Sequence, residues 1–287
     1  MHRPARARPV SAGPAREHAG SFRDVDAGSQ AQRAAAVAAL DVQAQLPAVR
    51  RLKAWAVEQL DPRPGARALD VGCGTGEDVQ GLALLVAPGG RALGVDPSRA
   101  MVEVARRRAA TTGSAARFAV GAAERLPVGD AEVDLVRVER VLQHVPGPAA
   151  AVAEVHRVLR PGGRAVLVDT DWRTLAVWPG EPAVVAAARE AWAARVPQPA
   201  AGARLLDLVA EAGFTDPRLT AEVLLLRPAG AGDPPLGLVV AVAAAAGLDP
   251  GAVEAWRREL ARAASRGTLV VSVTVLAVSA VRPPLPR

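Results

Sequence analysis

Between residues 66 and 170 short apolar runs alternate with longer amphipathic ones. Segments 66–71, 91–95, 117–120, 133–138 and 164–169 have the length and residue types of strands, and 77–86, 98–112 and 149–159 carry helical periodicity. Turns at Pro88-Gly-Gly90 and Arg160-Pro-Gly-Gly163 separate them. This βαβ alternation predicts a parallel sheet with helices on both faces. Ligands of such sheets sit at the carboxyl ends of the strands, which is where Gly72, Asp96, Gly121 and Asp169 fall.

The flanking pattern differs. Residues 31–60 read as helix interrupted at Pro47, with Leu52, Trp55 and Leu60 forming an apolar stripe, and Asp61-Pro-Arg-Pro-Gly65 ends it. Residues 21–30, with Phe22, an Arg and two Asp, suit either a segment that closes over a ligand or a helix-capping loop. Residues 171–212 hold Trp172, Trp178, Trp192 and two helical stretches. They read as an insertion walling a substrate pocket, with ordinary aromatic packing as the alternative. Beyond them come a strand at 222–226, two apolar helices within 236–264 parted by Asp249-Pro-Gly251, and a closing strand at 269–281. The expected organisation is a disordered tail over 1–20, a helical lid over 21–60, and one domain over 61–287.

Composition narrows the function classes. A chain of 287 residues, half of them apolar, suffices for one large α/β domain with additions. No apolar run reaches the ~20 residues of a membrane helix, and the Arg/Pro/Ala-rich start lacks a secretory core, so a cytoplasmic protein is expected. The net charge of +6 owes much to Arg3, Arg6, Arg8 and Arg16 in the tail; elsewhere bases and acids intermingle, and no nucleic-acid partner is expected. Cys73 is the only cysteine, there is no tyrosine, and His2, His18, His144 and His156 are too scattered to hold a metal.

The densest chemistry lies in residues 66–76, Ala-Arg-Ala-Leu-Asp-Val-Gly-Cys-Gly-Thr-Gly. Glycines at alternate positions allow positive φ and close approach of backbone to a ligand, and the following helix presents free N–H groups. The spacing departs from the dinucleotide fingerprint G-x-G-x-x-G; a tight turn without a ligand is the plain alternative. The stretch resembles the glycine loop of class I S-adenosylmethionine (SAM)-dependent methyltransferases. That resemblance implies a Rossmann-like α/β fold, a seven-stranded mostly parallel sheet with an antiparallel edge, and SAM as cofactor, with S-adenosylhomocysteine as product.

Further motifs follow in the family's order. Asp96, 20 residues after Gly76, matches the acid that accepts the ribose hydroxyls. Gly121-Ala-Ala-Glu-Arg-Leu-Pro127 resembles the adenine-side stretch, with Ala122 in place of the usual Asp. The resemblance thus implies a cofactor site of Asp70, Gly72, Gly74, Gly76, Asp96, Met101, Ala123 and Glu124. Leu159-Arg-Pro-Gly-Gly163 matches the family's turn before its fifth strand. Residues 134–145 end in Leu-Gln-His-Val where many relatives read Leu-His-His-Val, so Gln143 replaces the histidine that often acts as base. His144, Asp169 and Glu139 are the catalytic candidates, and Phe22, Arg140, Asp171 and Trp172 the substrate contacts. Methyl transfer is an in-line displacement that needs alignment and exclusion of water, and a base only when the acceptor must lose a proton. The nearest branch is the ubiquinone/menaquinone-biosynthesis-like one. The expectation is a methyltransferase acting on a small aromatic or apolar metabolite in bacterial secondary metabolism. A quinone-biosynthesis C-methyltransferase and a non-catalytic SAM-binding protein are the alternatives. Oligomeric state is not legible in the sequence.

Overall fold

The computed structural model describes residues 22–226, 240, 243–244 and 247–284. Seven strands make one sheet: β1 (Arg67–Val71), β2 (Arg91–Asp96), β3 (Arg117–Val120), β4 (Val133–Glu139), β5 (Leu159–Trp178), β6 (Thr215–Leu226) and β7 (Val270–Val281). Their order is β3-β2-β1-β4-β5-β7-β6. The first five strands pair in parallel, and β7 lies antiparallel between β5 and β6. The fold is Rossmann-like, with the expected antiparallel edge. The chain starts in the middle, at β1, and builds outward in both directions. In sheets with such a reversal, ligands bind at the carboxyl ends of the strands that flank it, here β1 and β4.

Helices cover both faces. The first face holds α2 (Pro47–Leu60), α3 (Glu77–Leu85), α4 (Arg99–Thr112) and α8 (Pro250–Ser265); the second holds α5 (Pro148–Val158) and α7 (Leu205–Glu211). Leu60 and Leu69 are fully buried, one on each side. Each such leucine contributes about 1.5–3 kcal/mol through removal from water. α1 (Gln30–Ala44) precedes these and begins with a capping box between Ser29 and Gln32. α2 starts at Pro47, where a missing N–H costs nothing. α4 starts at Ser98, whose hydroxyl accepts the Met101 N–H.

Three expectations need correction. β5 does not begin at 164 and end at 169; it spans Leu159–Trp178. The predicted turn at 160–163 is a bulge inside it, marked by a register shift against β4 and by Gly162 at φ +80°, whose N–H reaches the Arg282 carbonyl. Trp172 and Trp178 therefore belong to the sheet rather than to a helical insertion; the helical part is α6 (Pro182–Ala193) and α7. β6 begins at Thr215, well before 222. The tail over 1–20 and most of the first apolar helix expected within 236–248 lie outside the described residues. Among the described residues no helix is long and apolar enough to cross a membrane.

Candidate active site

The glycine loop sits where β1 meets α3. Gly72, Gly74 and Gly76 have φ of +70°, +50° and +80°, conformations that side chains rarely adopt. The Gly72 and Cys73 N–H groups both donate to the Val95 carbonyl, at 2.7 and 3.1 Å, folding the loop onto β2. A Cβ on Gly72 would collide with the Val141 side chain, and one on Gly76 would lie 2.6 Å from the Phe118 ring. Gly74 faces Leu40 of α1, so the N-terminal helix covers the loop. Cys73 is buried, and burial pushes its thiol well above the usual range, which removes it as a nucleophile.

Asp96 closes the loop from the end of β2. One carboxylate oxygen accepts the Gly74 N–H at 2.9 Å, and the other accepts the Ser98 N–H at 2.9 Å. Each oxygen retains further acceptor capacity. Burial raises the Asp96 pKa, against the backbone hydrogen bonds from Ser98 and Gly74. Gly121 donates to the Asp96 carbonyl, which brings the 121–126 turn, with buried Ala123 and half-buried Glu124, beside the same strand end. Met101 is buried one turn into α4. The residues expected around a nucleoside thus converge on one region.

A charged cluster that the pattern reading did not find lies next to the loop. Arg137 of β4 donates to Asp70 at 3.0 Å, stands 3.0 Å from Asp78 of α3, and also engages Glu139. Lys53 of α2 lies 3.0 Å from Asp78 and 3.2 Å from Glu77. Burial pushes the Asp70 carboxyl up to about 7, against the pull of Arg137. Burial acts the same way on Asp78, but Arg137 and Lys53 outweigh it and hold that carboxyl below its usual value. Glu139, expected as a catalytic group, is thus the partner of Arg137.

The residues expected to face an acceptor lie at the ends of β4 and β5 and just beyond them. Arg140 takes φ +55°, unusual for a side chain of its size, and its guanidinium engages Gln43 of α1. Gln143 is buried and occupied at both ends: its amide donates to the Arg140 carbonyl at 3.2 Å, and its oxygen accepts the Trp172 indole N–H at 2.5 Å. Trp172 packs on Trp192 with ring centroids 5.3 Å apart. Asp169, fully buried, accepts the backbone N–H of Thr170 at 2.8 Å and of Gln143 at 3.1 Å; burial pushes its carboxyl up to about 7. His144, half-buried, follows Gln143, with its backbone N–H on the Val141 carbonyl. Asp171 is held by Arg173 through both oxygens, at 2.9 and 2.8 Å, a local pairing within β5. The side chain of Phe22 lies outside the described residues. No group of histidines, cysteines and acids among the described residues suits a metal ion.

The N-terminal segment reaches this region through a residue not singled out by pattern. Asp26, in the 3-10 turn Phe22–Ala27, accepts the Ser98 hydroxyl at 2.6 Å and the N–H groups of Arg99 and Ala100 at 2.9 and 3.1 Å. Asp41 of α1 pairs with Arg108 of α4 through two 2.8 Å bonds.

Comparison with known proteins agrees with this geometry. Residues 69–167 match a family model described as a methyltransferase domain. An uncharacterized 37.1 kDa protein in transposon TN4556 of Streptomyces fradiae is 41% identical over 203 residues, covering 70% of this chain and 59% of that protein. Demethylmenaquinone methyltransferase of Staphylococcus aureus is 36% identical over 129 residues, 44% of this chain and 53% of that enzyme. The chain therefore spans little more than half the length of these relatives. Among solved structures, the YcgJ protein of Bacillus subtilis superposes with a TM-score of 0.56 at 20% identity, over 82% of this chain and 99% of that one. The cyclase SpnF gives 0.52 at 21%, over 82% and 81%. At these identities the likeness is one of fold. Residues 69–167 thus match a methyltransferase domain laid out on a Rossmann-like sheet, and the glycine loop at residues 72–76 lies within the match.

Proposed function

We propose that this chain transfers a methyl group from SAM to a small aromatic or apolar metabolite. The observation that carries the reading is Asp96, which bridges the glycine loop and α4 while keeping acceptor capacity on both oxygens. A vicinal diol fits such a carboxylate. The loop is compatible with the group as well: positive φ at all three glycines turns bare backbone between β1 and α3, the close-approach geometry a nucleoside needs, and Gly72 and Gly76 admit no side chain beside Val141 and Phe118. Gly72, Gly74, Asp96, Met101 and Ala123 would hold the nucleoside, and Asp70 with its neighbours the methionyl end. Bound there, SAM supplies an electrophilic methyl group on a sulfonium.

The protein's own share is alignment and exclusion of water. Leu40, Gln43, Asp26 and Asp41 fasten residues 22–44 over the loop as a lid. Trp172 and Trp192 form an aromatic wall toward the acceptor. Gln143 is spent on two internal hydrogen bonds, and Asp169 on backbone N–H groups. This favours an acceptor that needs little help in losing a proton, such as an electron-rich carbon or an amine, with His144 the remaining base candidate. Secondary metabolism in the cytoplasm is the setting we infer.

Titration calorimetry with SAM and S-adenosylhomocysteine tests the reading. Micromolar binding of both, weakened at least tenfold in Asp96→Ala, is expected. Absence of binding to folded protein overturns it. Binding of both with no methyl transfer across a panel of aromatic metabolites would favour a SAM-holding protein instead. The SpnF likeness is a reminder that this fold also hosts a protein named as a cyclase.

A further inference from the structure

Arg137 is an anomaly of the strand it occupies. β4 is paired on both sides, by β1 and β5, and its residues 133–138 are all buried. A guanidinium there is tolerable only if carboxylates surround it. They do, from three directions: Asp70 on β1, Asp78 on α3 and Glu139 two positions further along β4. Lys53 and Glu77 extend the cluster through α2 and α3, and Arg140 stands 3.5 Å from the second oxygen of Glu139. Four carboxylates thus face three cations. Asp70 stands two residues before Gly72, and Glu139 ends β4, the strand paired with β1.

Resting on the methyl-transfer reading above, we propose that Arg137 is a positioning residue: it fixes Asp70 and Glu139 so that one surplus negative charge faces a cationic methyl donor in preference to its neutral-sulfur product. In the transfer, the sulfur–methyl bond breaks, the acceptor–methyl bond forms, and the bonding pair stays on sulfur, which loses its positive charge. A fixed anionic cluster therefore holds the donor more tightly than S-adenosylhomocysteine and eases product exchange. A purely structural Arg137, which only neutralises buried acids, predicts no such discrimination.

The groups facing Asp70 are Arg137 and Glu139 from β4, Asp78 from α3 and Cys73 from the loop. Asp70 is the member that titrates near neutrality, since its burial outweighs its partner. The ratio of donor to product affinity therefore rises with pH as the surplus charge forms.

The experiment is calorimetric titration of the full chain with SAM and with S-adenosylhomocysteine from pH 5.5 to 8.5. Wild type is expected to gain about fivefold in the affinity ratio between pH 6 and 8. In Arg137→Met, Asp70 and Glu139 share a proton, so the net charge is kept but neither carboxylate is held in place, and the ratio at pH 7.5 is expected to fall at least twofold with product affinity changed less than about threefold. Arg137→Lys keeps the charge without the forked geometry and is expected to fall between the two. If Arg137→Met does not fold, the wild-type profile and the lysine variant decide. A flat ratio across pH in wild type, or variants that weaken both ligands equally, overturns the proposal. Failure of both ligands to bind wild type would instead overturn the methyl-transfer reading beneath it.

Discussion

The carboxylate of Asp26 accepts the Ser98 hydroxyl at 2.6 Å, across 72 residues of chain. Ser98 also donates its backbone N–H to Asp96, so the N-terminal segment and the expected ribose acceptor share one residue. The Ser98 hydroxyl bond is the leading influence that holds Asp26 below its usual pKa. Asp26→Ala removes this tie. SAM affinity is expected to fall about three- to tenfold, in line with the ~1 kcal/mol scale of a lost capping contact. Hydrogen exchange over residues 22–44 should quicken in parallel. Unchanged exchange and affinity would mean that the segment is held elsewhere.

Gly72 has no room to grow. Its φ of +70° disfavours any side chain, and a Cβ would run into Val141. Gly72→Ala is expected to cost about 1–3 kcal/mol in urea unfolding and to abolish measurable SAM binding. Near-normal affinity would show that the loop does not cradle the cofactor.

Buried Gln143 and half-buried Trp172 form a hydrogen-bonded pair that can be cut without touching the loop. Trp172→Phe keeps an aromatic ring, though a smaller one, and leaves the Gln143 oxygen without its donor. A loss of about 1–3 kcal/mol in stability is expected, with SAM affinity unchanged within twofold. A comparable loss of SAM affinity would place this pair on the cofactor side instead.

Asp169 gives a pH signature. Its folded pKa, raised to about 7 by burial, exceeds that of the unfolded chain, so folding takes up a proton between roughly pH 4 and 7. The stability it contributes is present below that window and is lost as pH rises through it, by up to ~1.4 kcal/mol per pH unit. Asp169→Asn should remove this share of the slope in urea unfolding followed from pH 5 to 8. Asp70 contributes in the same sense, so the difference between wild type and variant is the quantity to read. Parallel curves would show that Asp169 is ionised throughout.

The parallel core was readable because its strands are short apolar runs closed by turns, and β1 to β4 lie within one or two residues of the expected positions. The extension of β5 was hidden because Asp169-Thr-Asp-Trp-Arg-Thr174 breaks the apolar pattern. Its polar groups are satisfied inside the fold: the Thr174 hydroxyl, for example, donates to the Asp171 carbonyl and accepts the Thr274 N–H. The glycines and Asp96 were visible as local motifs. Arg137 and Asp26 were not, because each is defined by partners far away in sequence. One signal was available for Arg137: a cation within a strand expected to be buried on both faces demands carboxylates, and Asp70 and Asp78 flank the glycine loop.

The long β5 carries a consequence for how this protein diversifies. Beyond Asp169 the strand pairs with β7 through Asp171 and again from Ala176 to Trp178, with a register shift over the residues between, and α6 rests against it. In the proposed reading, the wall nearest the acceptor, with Trp172 in that irregular stretch, is therefore pinned to the sheet at both ends instead of hanging from a connecting loop. Insertions into the paired stretches on either side would break the ladder, whereas exchanges of single side chains leave it intact. New acceptor preferences should therefore arise by repainting this surface one residue at a time, with its outline preserved.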